Sequence, residues 1–399
     1  MAAQKEYHIG KALYKPAAHH ESFEKLWETK WKAPCKMGVY PFMFGCIQDF
    51  EPVAQSIVMK RLKEPYDWDE YAQMFFPKAE ELARVAEDAA AAGEMEKACE
   101  YYLRSSAIYR IARFPIPRSE KQRLAWAKGK EVFYKGAALL TTPIHEVVIP
   151  HTHALVPSEP ANSAIPINFL LPASASPSNP APLVLILTGL DGYRTELAIW
   201  QPGFAAKGVA TAVVEIPGTG DSPAAARDPT SPDRQWSSVL DWIDAQKEID
   251  SERVIVWGFS TGGYYALRMA HTHTERLMGA VSLGGGADRM FDDGWLRHVD
   301  KLEYPFDLRG ALAEKFGYGL DVEGFMSEAR RRFSLVEDGT LQRRCCKVLL
   351  VNGDGDEIFP IEDLWVALDY GMPKMARVVK GTKHMGGTRE FCGSIEMDL

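Results

Sequence analysis

The sequence predicts an α/β protein in which a mostly parallel β-sheet has helices on both faces and follows an α-helical unit. From residue 144 onward, apolar runs of strand length alternate with helical patterns, which is typical of a parallel sheet with crossover helices. From residue 22 to about residue 140, the apolar spacing is helical. The 399 residues, 46% of them hydrophobic, suffice for a sizeable core and an accessory unit. We therefore expect an α-helical N-terminal lid domain over residues 1–140 and a catalytic α/β domain over residues 141–399.

Composition and charge exclude several classes of function. The net charge of −8 and the pI near 5.8 argue against a broad nucleic-acid surface. No apolar stretch approaches the roughly 20 residues of a membrane span, and residues 1–10 are polar, so we expect neither an anchor nor a signal peptide. The cysteines lack metal-ligand spacing, so we expect reduced thiols, no metal, no cofactor and an intracellular protein, cytoplasmic or loosely associated with endosomes. The six cysteines are Cys35, Cys46, Cys99, Cys345, Cys346 and Cys392.

The N-terminal unit contains three helical patterns. Aromatic side chains recur at helical spacing over Phe23–Trp31. The Ala-rich run Lys78–Ala92, a break at Gly93 and the run Glu94–Arg113 predict a helical hairpin similar to one tetratricopeptide pair. A single pair cannot stack into a solenoid, so we expect it to be part of a lid or a dimerisation surface. A further helix over Glu120–Leu140 leads into the sheet.

Apolar runs after residue 144 predict the strands. The Pro/Ser/Ala-rich segment Ala173–Pro182 is expected to be a hairpin loop. The segment Pro217–Ser222 lacks a complete dinucleotide fingerprint and a Walker lysine, so its glycines indicate a strand-end turn rather than a phosphate-binding loop. The predicted strands are His145–Pro150, Ile165–Leu171, Leu183–Leu187, Ala210–Ile216, Val254–Trp257, Ala280–Leu283, Lys347–Val351 and Ala376–Lys380.

A candidate nucleophile follows the fifth predicted strand. Ser260 is the centre of a Gly-Phe-Ser-Thr-Gly sequence over residues 258–262, with an apolar run before it and a helical pattern after it. A strand, sharp turn and helix in this order expose the serine Oγ and direct free N–H groups and the positive end of the helix dipole at a developing oxyanion. The sequence therefore predicts that Ser260 is a catalytic nucleophile.

Candidates for the other two members of a Ser-His-Asp triad lie downstream of Ser260, in the chain order that this architecture uses. The seventh strand ends in a turn over residues 352–360 that contains two aspartates. The G-x-x-D-x-x-x-P spacing favours Asp356 as the acid, and Asp354 is the alternative. His384 follows the last strand in a loop with glycines on both sides and is the expected general base.

Two backbone amides are expected to form an oxyanion hole. One is the Thr261 N–H, directly after the nucleophile, and the other is the Leu190 N–H, in the loop after the third strand where Gly189 frees the turn. Asp191 in the same loop is open to two interpretations. It is either an Asx-turn residue that stabilises the loop or a residue that binds substrate hydroxyls.

A second helical region, residues 286–336, interrupts the sheet. Because it follows the sixth predicted strand, we expect this insertion to cover Ser260. Most of its aromatic side chains are expected in the core, and one or two of them, together with His298, are candidates for lining a substrate cavity. These aromatic residues are Trp295, Tyr304, Phe306, Phe316, Phe325 and Phe333.

With this triad, the chain resembles the α/β-hydrolases, and more closely the fungal yellowish-green hydrolases that shorten polyketides in dihydroxynaphthalene melanin biosynthesis. The resemblance runs nearly end to end, but residues 389–395 match the final helix of that family poorly. It implies an α/β-hydrolase core, the triad Ser260, Asp356 and His384, and a possible homodimer with the helical part as its interface. The matching segments are Leu26–Glu28, Trp31–Lys32, Val39–Phe42, Asp49–Pro52, Tyr109–Pro115, Leu187–Tyr193, Glu215–Thr219, Pro232–Arg234 and Pro360–Asp363.

The resemblance also implies a reaction. Members of that family trim an acyl side chain from an aromatic polyketide by carbon–carbon hydrolysis, which yields tetrahydroxynaphthalene. A heptaketide naphthopyrone would release an acetoacetyl unit, and an acetylated tetrahydroxynaphthalene would release acetyl. Asp191, Tyr193 and Arg113 are the candidates for binding the polyketide hydroxyls.

Two other functions remain open from the sequence. The same residues would hydrolyse an ester, so a carboxylesterase or lactonase is the nearest alternative. A hydrolase-shaped binding protein without turnover is the third, and it is less favoured because such proteins usually lose a member of the triad.

Overall fold

The computed structural model describes residues 7–387 and contains one sheet of eight strands in the order β1-β2-β4-β3-β5-β6-β7-β8. The strands are β1 His145–Pro150, β2 Ala164–Leu170, β3 Ala181–Leu187, β4 Ala210–Val214, β5 Ile249–Phe259, β6 Gly279–Leu283, β7 Lys347–Gly353 and β8 Met375–Val379. Only β2 runs against the others. The predicted α/β fold with a mostly parallel sheet is therefore confirmed. Residues 389–395, where the family resemblance fails, and Cys392 lie outside the described residues.

The connection between β2 and β3 differs from the sequence-based prediction. Residues 173–182 do not form a hairpin between paired strands, because β2 pairs with β4 and β4 lies between β2 and β3. Leu185 of β3 faces Ala212 of β4 on one side and Val256 of β5 on the other. Both β3 and β4 are apolar and buried along almost their whole length, which is the pattern of central parallel strands. Their mutual pairing therefore excludes β2 from the neighbouring position.

We call residues 23–137 the helical half. Its long hairpin matches the predicted one: the first helix has Pro77 in its first turn and ends before Gly93, which has a φ of +81°, and the second ends two residues before Pro115. No helix within residues 7–387 is both long and apolar enough to cross a bilayer. The helices are α1 Phe23–Leu26, α2 Lys32–Met37, α3 Ile47–Met59, α4 Trp68–Gln73, α5 Phe76–Ala91, α6 Met95–Arg113 and α7 Glu120–Ala137.

Aromatic side chains form the core of the helical half and connect it to the insertion. The π-helical turn Trp27–Trp31 follows α1 and buries both of its tryptophans. Phe306 of the insertion enters the same cluster, with its ring centroid 5.7 Å from Trp31, 5.2 Å from Tyr66 and 5.3 Å from Trp68. Edge-to-face pairs of this kind stabilise packing beyond the area they bury. The insertion and the helical half therefore share one apolar core.

The remaining helices cover the sheet and form the insertion. The predicted insertion lies between β6 and β7, as expected, and it begins at a short helical turn, Arg289–Phe291. Asp363 holds this turn by accepting the N–H groups of Asp288, Arg289 and Met290 at 2.6 to 2.9 Å. The helices are α8 Arg194–Leu197, α9 Gln201–Ala205, α10 Ser231–Asp244, α11 Thr261–Thr272, α12 Asp293–Leu296, α13 Leu308–Lys315, α14 Val322–Phe333 and α15 Glu362–Asp369.

A buried ion cluster joins the helical half to the loop after β3. Arg110 and Arg113 on α6 both contact Oε1 of Glu196 in α8, at 3.1 and 2.5 Å. The other carboxylate oxygen of Glu196 accepts the Tyr193 N–H at 2.6 Å. Burial raises the pKa of Glu196, but attraction to the two guanidinium groups outweighs burial and holds this pKa below its usual range. The carboxylate is therefore charged inside the protein.

We expect Glu196→Gln to lower the free energy of unfolding by about 3–5 kcal/mol, because it leaves two buried guanidinium groups without a charged partner. Urea unfolding followed by tryptophan fluorescence measures this change. The matched control is Glu131→Gln, which removes a helix-surface pair with Lys135 from a side chain that is 66% exposed and should cost at most about 1 kcal/mol. Equal stability of the two variants would contradict a structural role for the cluster.

Candidate active site

Ser260 lies in the sharp turn between β5 and α11, with φ 54° and ψ −121°. The turn brings backbones so close that side chains have no room at two of its positions. A Cβ on Gly258 would lie 2.0 Å from the carbonyl oxygen of Gly262, and a Cβ on Gly262 would lie 2.3 Å from that of Thr188. The two glycines of the motif are therefore required by the approach of α11 to β5 and β3. The positive φ of Ser260 is a strained conformation of the kind that clusters at functional sites.

His384 links Ser260 to Asp356. Its Nε2 lies 2.9 Å from the Ser260 Oγ, and its Nδ1 lies 2.7 Å from Oδ2 of Asp356. The ring fits against Gly284, where a Cβ would come within 3.0 Å of the His384 Cε1. With Nδ1 protonated, the imidazole donates to the carboxylate and presents Nε2 as an acceptor for the serine hydroxyl. The structure thus brings these three predicted residues together.

The structure also distinguishes the two candidate acids. Asp356 is fully buried, and its Oδ1 accepts the N–H groups of Ile358 and Phe359 at 2.7 and 3.1 Å. Asp354 instead accepts the Gly381 N–H at 2.7 Å. Among the described residues, only Asp356 of this pair hydrogen-bonds the His384 ring.

Asn352 is a residue of the site that the sequence analysis missed. Its Nδ2 donates to Oδ2 of Asp356 at 2.7 Å, and its Oδ1 accepts the Met385 N–H at 3.0 Å. One amide side chain therefore holds both the acid and the histidine loop. The sequence did carry one indication of this role, because Asn352 lies at the carboxyl end of the predicted strand β7. Side chains at the carboxyl ends of strands reach the site in sheets of this kind.

The charge state of His384 depends on its acidic neighbours. Burial lowers the pKa of the imidazole, but attraction to Asp356 and the hydrogen bond with it outweigh burial, and Glu303 and Asp191 add to the effect. The pKa of His384 is therefore raised above its usual 6.5. Glu303 also accepts the backbone N–H of His384 at 3.3 Å.

The two amides predicted for an oxyanion hole belong to loops that meet at Ser260. A Cβ on Gly189 would lie 3.2 Å from the Phe259 carbonyl oxygen and 3.5 Å from the Ser260 Cβ, so the loop after β3 touches the serine turn. Within residues 7–387, the Leu190 and Thr261 amides donate to no protein acceptor. Both are therefore available to a ligand oxygen.

Asp191 is a half-buried carboxyl at the same place. It accepts a hydrogen bond from the Tyr40 hydroxyl, and it lies close enough to His384 for each charge to shift the pKa of the other. Burial raises the pKa of Asp191. No amide of its own loop donates to this carboxyl in the part of the chain that the structure describes, which does not favour the Asx-turn interpretation.

The other three predicted binding residues make contacts apart from the triad, although the charge of Arg113 also acts on Asp191. Arg113 is buried in the ion cluster with Glu196, and its guanidinium carbon lies 3.7 Å above the buried ring of Tyr193. His298 packs against the ring of Tyr14, with centroids 4.9 Å apart. The structure does not bring Arg113, Tyr193 or His298 into contact with Ser260 or His384. For Arg113 the physical reason is its ion pair with Glu196, and the Tyr193 ring is fully buried under the Arg113 guanidinium.

Comparison with known proteins finds matches that cover most of the chain. A family model described as "Esterase FrsA-like" matches residues 66–370. Hydrolase LUC6 of Fusarium sp is 26% identical over 329 residues, which cover 73% of this chain and 75% of the relative. Hydrolase acrC of Aspergillus aculeatus is 29% identical over 304 residues, which cover 66% of this chain and 68% of the relative.

Solved structures share the fold. The crystal structure of the 2,6-dihydroxy-pseudo-oxynicotine hydrolase superposes with a TM-score of 0.65 at 20% identity, over 86% of this chain and 88% of the other. Wild-type AbyA5 superposes with a TM-score of 0.62 at 19% identity, over 84% and 85%.

We expect Asp356→Asn to lower kcat by about 10⁴-fold, because an asparagine neither fixes the productive tautomer of His384 nor stabilises its protonated form. The rate of p-nitrophenyl acetate hydrolysis measures the loss. Asp354→Asn is the matched control: it lies two residues away, its amide oxygen can still accept the Gly381 N–H, and its kcat should stay close to that of the wild type. A large loss in Asp354→Asn with an active Asp356→Asn would reassign the acid.

The raised pKa of His384 predicts an acidic limb in the pH profile of kcat/KM. A general base acts in its neutral form, so activity falls as the pH drops through a pKa that lies above 6.5. In Asp191→Asn, one of the charges that raise this pKa is absent, so the limb should move to lower pH. Initial rates of ester hydrolysis across the pH range test this. A limb below pH 6.5 in the wild type would contradict the dominance of the acidic neighbours over burial at His384.

Proposed function

Because this chain belongs to the FrsA-like esterase family and is a hydrolase, we propose that it is a serine hydrolase that uses Ser260, His384 and Asp356 to cleave a carbon–carbon bond in an aromatic polyketide. The observation that supports the catalytic part is the hydrogen-bonded chain from the Ser260 Oγ through His384 to Asp356. The substrate part is supported by the resemblance described above, whose segments include the loop of Leu190 and Asp191.

The proposed product is 1,3,6,8-tetrahydroxynaphthalene, an intermediate for melanin-type pigment. The substrate is either a heptaketide naphthopyrone, which would release an acetoacetyl unit, or an acetylated tetrahydroxynaphthalene, which would release acetyl. In this proposal the helical half and the insertion enclose a small aromatic molecule, and the enzyme needs no metal or cofactor.

The first half of the reaction forms an acyl-enzyme. His384 takes the proton of Ser260 while Oγ attacks the side-chain ketone of the substrate. The tetrahedral oxyanion is stabilised by the Leu190 and Thr261 N–H groups. The oxyanion then collapses to an ester, and the bonding pair of the carbon–carbon bond moves to the ring. His384 returns the proton to the ring carbon.

The second half releases the acyl group. Water, deprotonated by His384, attacks the acyl ester of Ser260 through a second tetrahedral intermediate, and the serine is regenerated. A simple carbanion would be a very poor leaving group in the first half. A polyhydroxylated naphthalene ring in its keto tautomer can leave because its charge is delocalised onto the ring carbonyl oxygen as an enolate.

A carboxylesterase or lactonase is the second candidate, and the family description as an esterase favours it. An ester requires less of the site because an alkoxide or phenolate leaves without help from the ring. A non-catalytic binding protein is a third possibility that the contact of Ser260 with His384 does not favour.

Product analysis by mass spectrometry separates these functions. Wild type should form tetrahydroxynaphthalene from a heptaketide naphthopyrone or from acetylated tetrahydroxynaphthalene, and Ser260→Ala should form none because no acyl-enzyme can form. The faster substrate identifies the acyl group. Ser158→Ala, at an exposed serine, is the control that should keep full activity.

Other results of this product analysis would favour one of the two alternative functions. No product from either polyketide, together with intact hydrolysis of a p-nitrophenyl ester, would contradict carbon–carbon cleavage and leave the esterase. Binding of a polyketide without turnover of any substrate would support the binding protein.

A further inference from the structure

The insertion places a segment directly against the histidine. The Glu303 carboxylate accepts the backbone N–H of His384 at 3.3 Å, and the Lys30 ammonium lies 3.5 Å from the same side chain. Tyr304 follows Glu303, and its ring stacks on Phe114 with centroids 6.5 Å apart and planes inclined by 23°. These contacts fix the position of the Tyr304 ring beside the site.

The Tyr304 hydroxyl is buried beside Asp191 and is poorly satisfied. The residue is 5% exposed, and its hydroxyl makes no well-formed hydrogen bond to the described residues. Asp191, which interacts with this hydroxyl as a weak hydrogen-bond acceptor, and Tyr40 are its neighbours. Burial, together with Asp191, keeps the pKa of the Tyr304 phenol well above its usual range, so the group remains an O–H donor. A buried donor with a poorly formed hydrogen bond costs free energy, and a well-placed ligand oxygen would recover part of that cost.

Asp191 is the second group of this candidate site. The carboxyl is oriented by the Tyr40 hydroxyl, and the Tyr40 ring packs so closely on Gly192 that a Cβ there would lie 3.3 Å from its Cε2. Asp191 directly follows Leu190, whose amide is proposed to bind the oxyanion. A group next to the attacked ketone would therefore reach Asp191 and Tyr304.

We propose that Tyr304 and Asp191 form a second oxygen site, which binds the ring oxygen adjacent to the scissile carbon–carbon bond and stabilises the ring as it leaves. This inference rests on the proposed carbon–carbon hydrolysis. When the tetrahedral intermediate collapses, its oxygen reforms the acyl carbonyl; with the ring in its keto tautomer, the bonding pair passes to the ring carbon and on to the neighbouring ring carbonyl oxygen. The Tyr304 O–H donates to this enolate oxygen. His384 then delivers the serine proton to the ring carbon, so no oxidant or other reactant is needed.

Asp191 has a separate part in this site. Its carboxyl accepts from a ring hydroxyl, whereas the enolate oxygen accepts from the Tyr304 O–H; burial raises the pKa of Asp191. The Tyr40 hydroxyl donates to Oδ1 of Asp191, and a carboxyl group has acceptor capacity left for a ring hydroxyl.

The test compares two substrates that leave the same acyl group on Ser260. Acetylated tetrahydroxynaphthalene and p-nitrophenyl acetate both give the acetyl-enzyme, so deacylation is common to them and only the leaving group differs. In Tyr304→Phe, kcat for carbon–carbon cleavage should fall about 100-fold, the loss typical of removing one donor to a developing oxyanion. The ratio of the two kcat/KM values should fall by at least about tenfold, and KM for the polyketide should change less than kcat.

Tyr318→Phe is the matched control. Tyr318 is in the same insertion, and its hydroxyl donates to Glu328 at 2.7 Å, away from Ser260 and His384. It should keep the wild-type ratio. An equal loss on both substrates in Tyr304→Phe, or no loss on either, would overturn the second oxygen site.

A binding measurement separates failure of this inference from failure of the proposed function. If wild type hydrolyses p-nitrophenyl acetate but not the polyketide, the proposed carbon–carbon hydrolysis is wrong. The proposed role of Tyr304 in stabilising the leaving ring is then wrong as well. Titration of 1,3-dihydroxynaphthalene by tryptophan fluorescence then reports on the oxygen site alone. Tyr304→Phe should raise Kd about 2- to 10-fold through the lost hydrogen bond, and an unchanged Kd would exclude the site.

Discussion

The buried charge of Glu196 is the constraint on which the arrangement of the site depends. Transfer of a carboxylate from water to the interior costs several kcal/mol, which is offset only while guanidinium groups remain in contact. Arg110 and Arg113 supply these groups from α6. The loop after β3 therefore cannot separate from the helical half without leaving unpaired charge in the interior. Since Leu190 and Asp191 belong to this loop, the cluster holds the oxygen-binding side of the site in place.

The same cluster reaches a third part of the chain. Besides contacting Glu196, Arg110 donates to the carbonyl oxygens of Pro41 and Met43 at 3.0 and 2.8 Å. This fixes the segment that contains Tyr40, whose hydroxyl in turn orients Asp191. The carboxyl group of Asp191 and its phenolic partner are thus set by backbone contacts some distance from Ser260. The arrangement is consistent with a site that is held rigid before substrate binds, as electrostatic stabilisation of a developing charge requires.

The sequence predicts the sheet and the nucleophile turn because both depend on local pattern. Apolar runs in the sequence indicate the position of every strand. The glycines around Ser260 indicate that two backbone segments come so close that a Cβ has no room. Strand order is non-local, so the hairpin predicted for residues 173–182 was wrong. Contacts between residues far apart in the sequence also distinguish Asp356 from Arg113. Both look like ordinary polar residues in the sequence, and only the fold shows that one hydrogen-bonds His384 while the other pairs with Glu196.

The proposed reaction gives a reason for the helical half and the insertion, which ester hydrolysis would not require. Ester hydrolysis expels a stable oxygen anion, whereas carbon–carbon hydrolysis must support charge on a ring, and hydrogen bonds to that charge are stronger where water is excluded. Tyr40 comes from the helical half, Asp191 from the loop after β3, and Tyr304 from the insertion. The shared aromatic core around Phe306 joins the insertion to the helical half, so these groups are enclosed as one unit. On this view the elements outside the sheet supply the leaving-group chemistry, and the sheet supplies the acyl transfer that it shares with its esterase relatives.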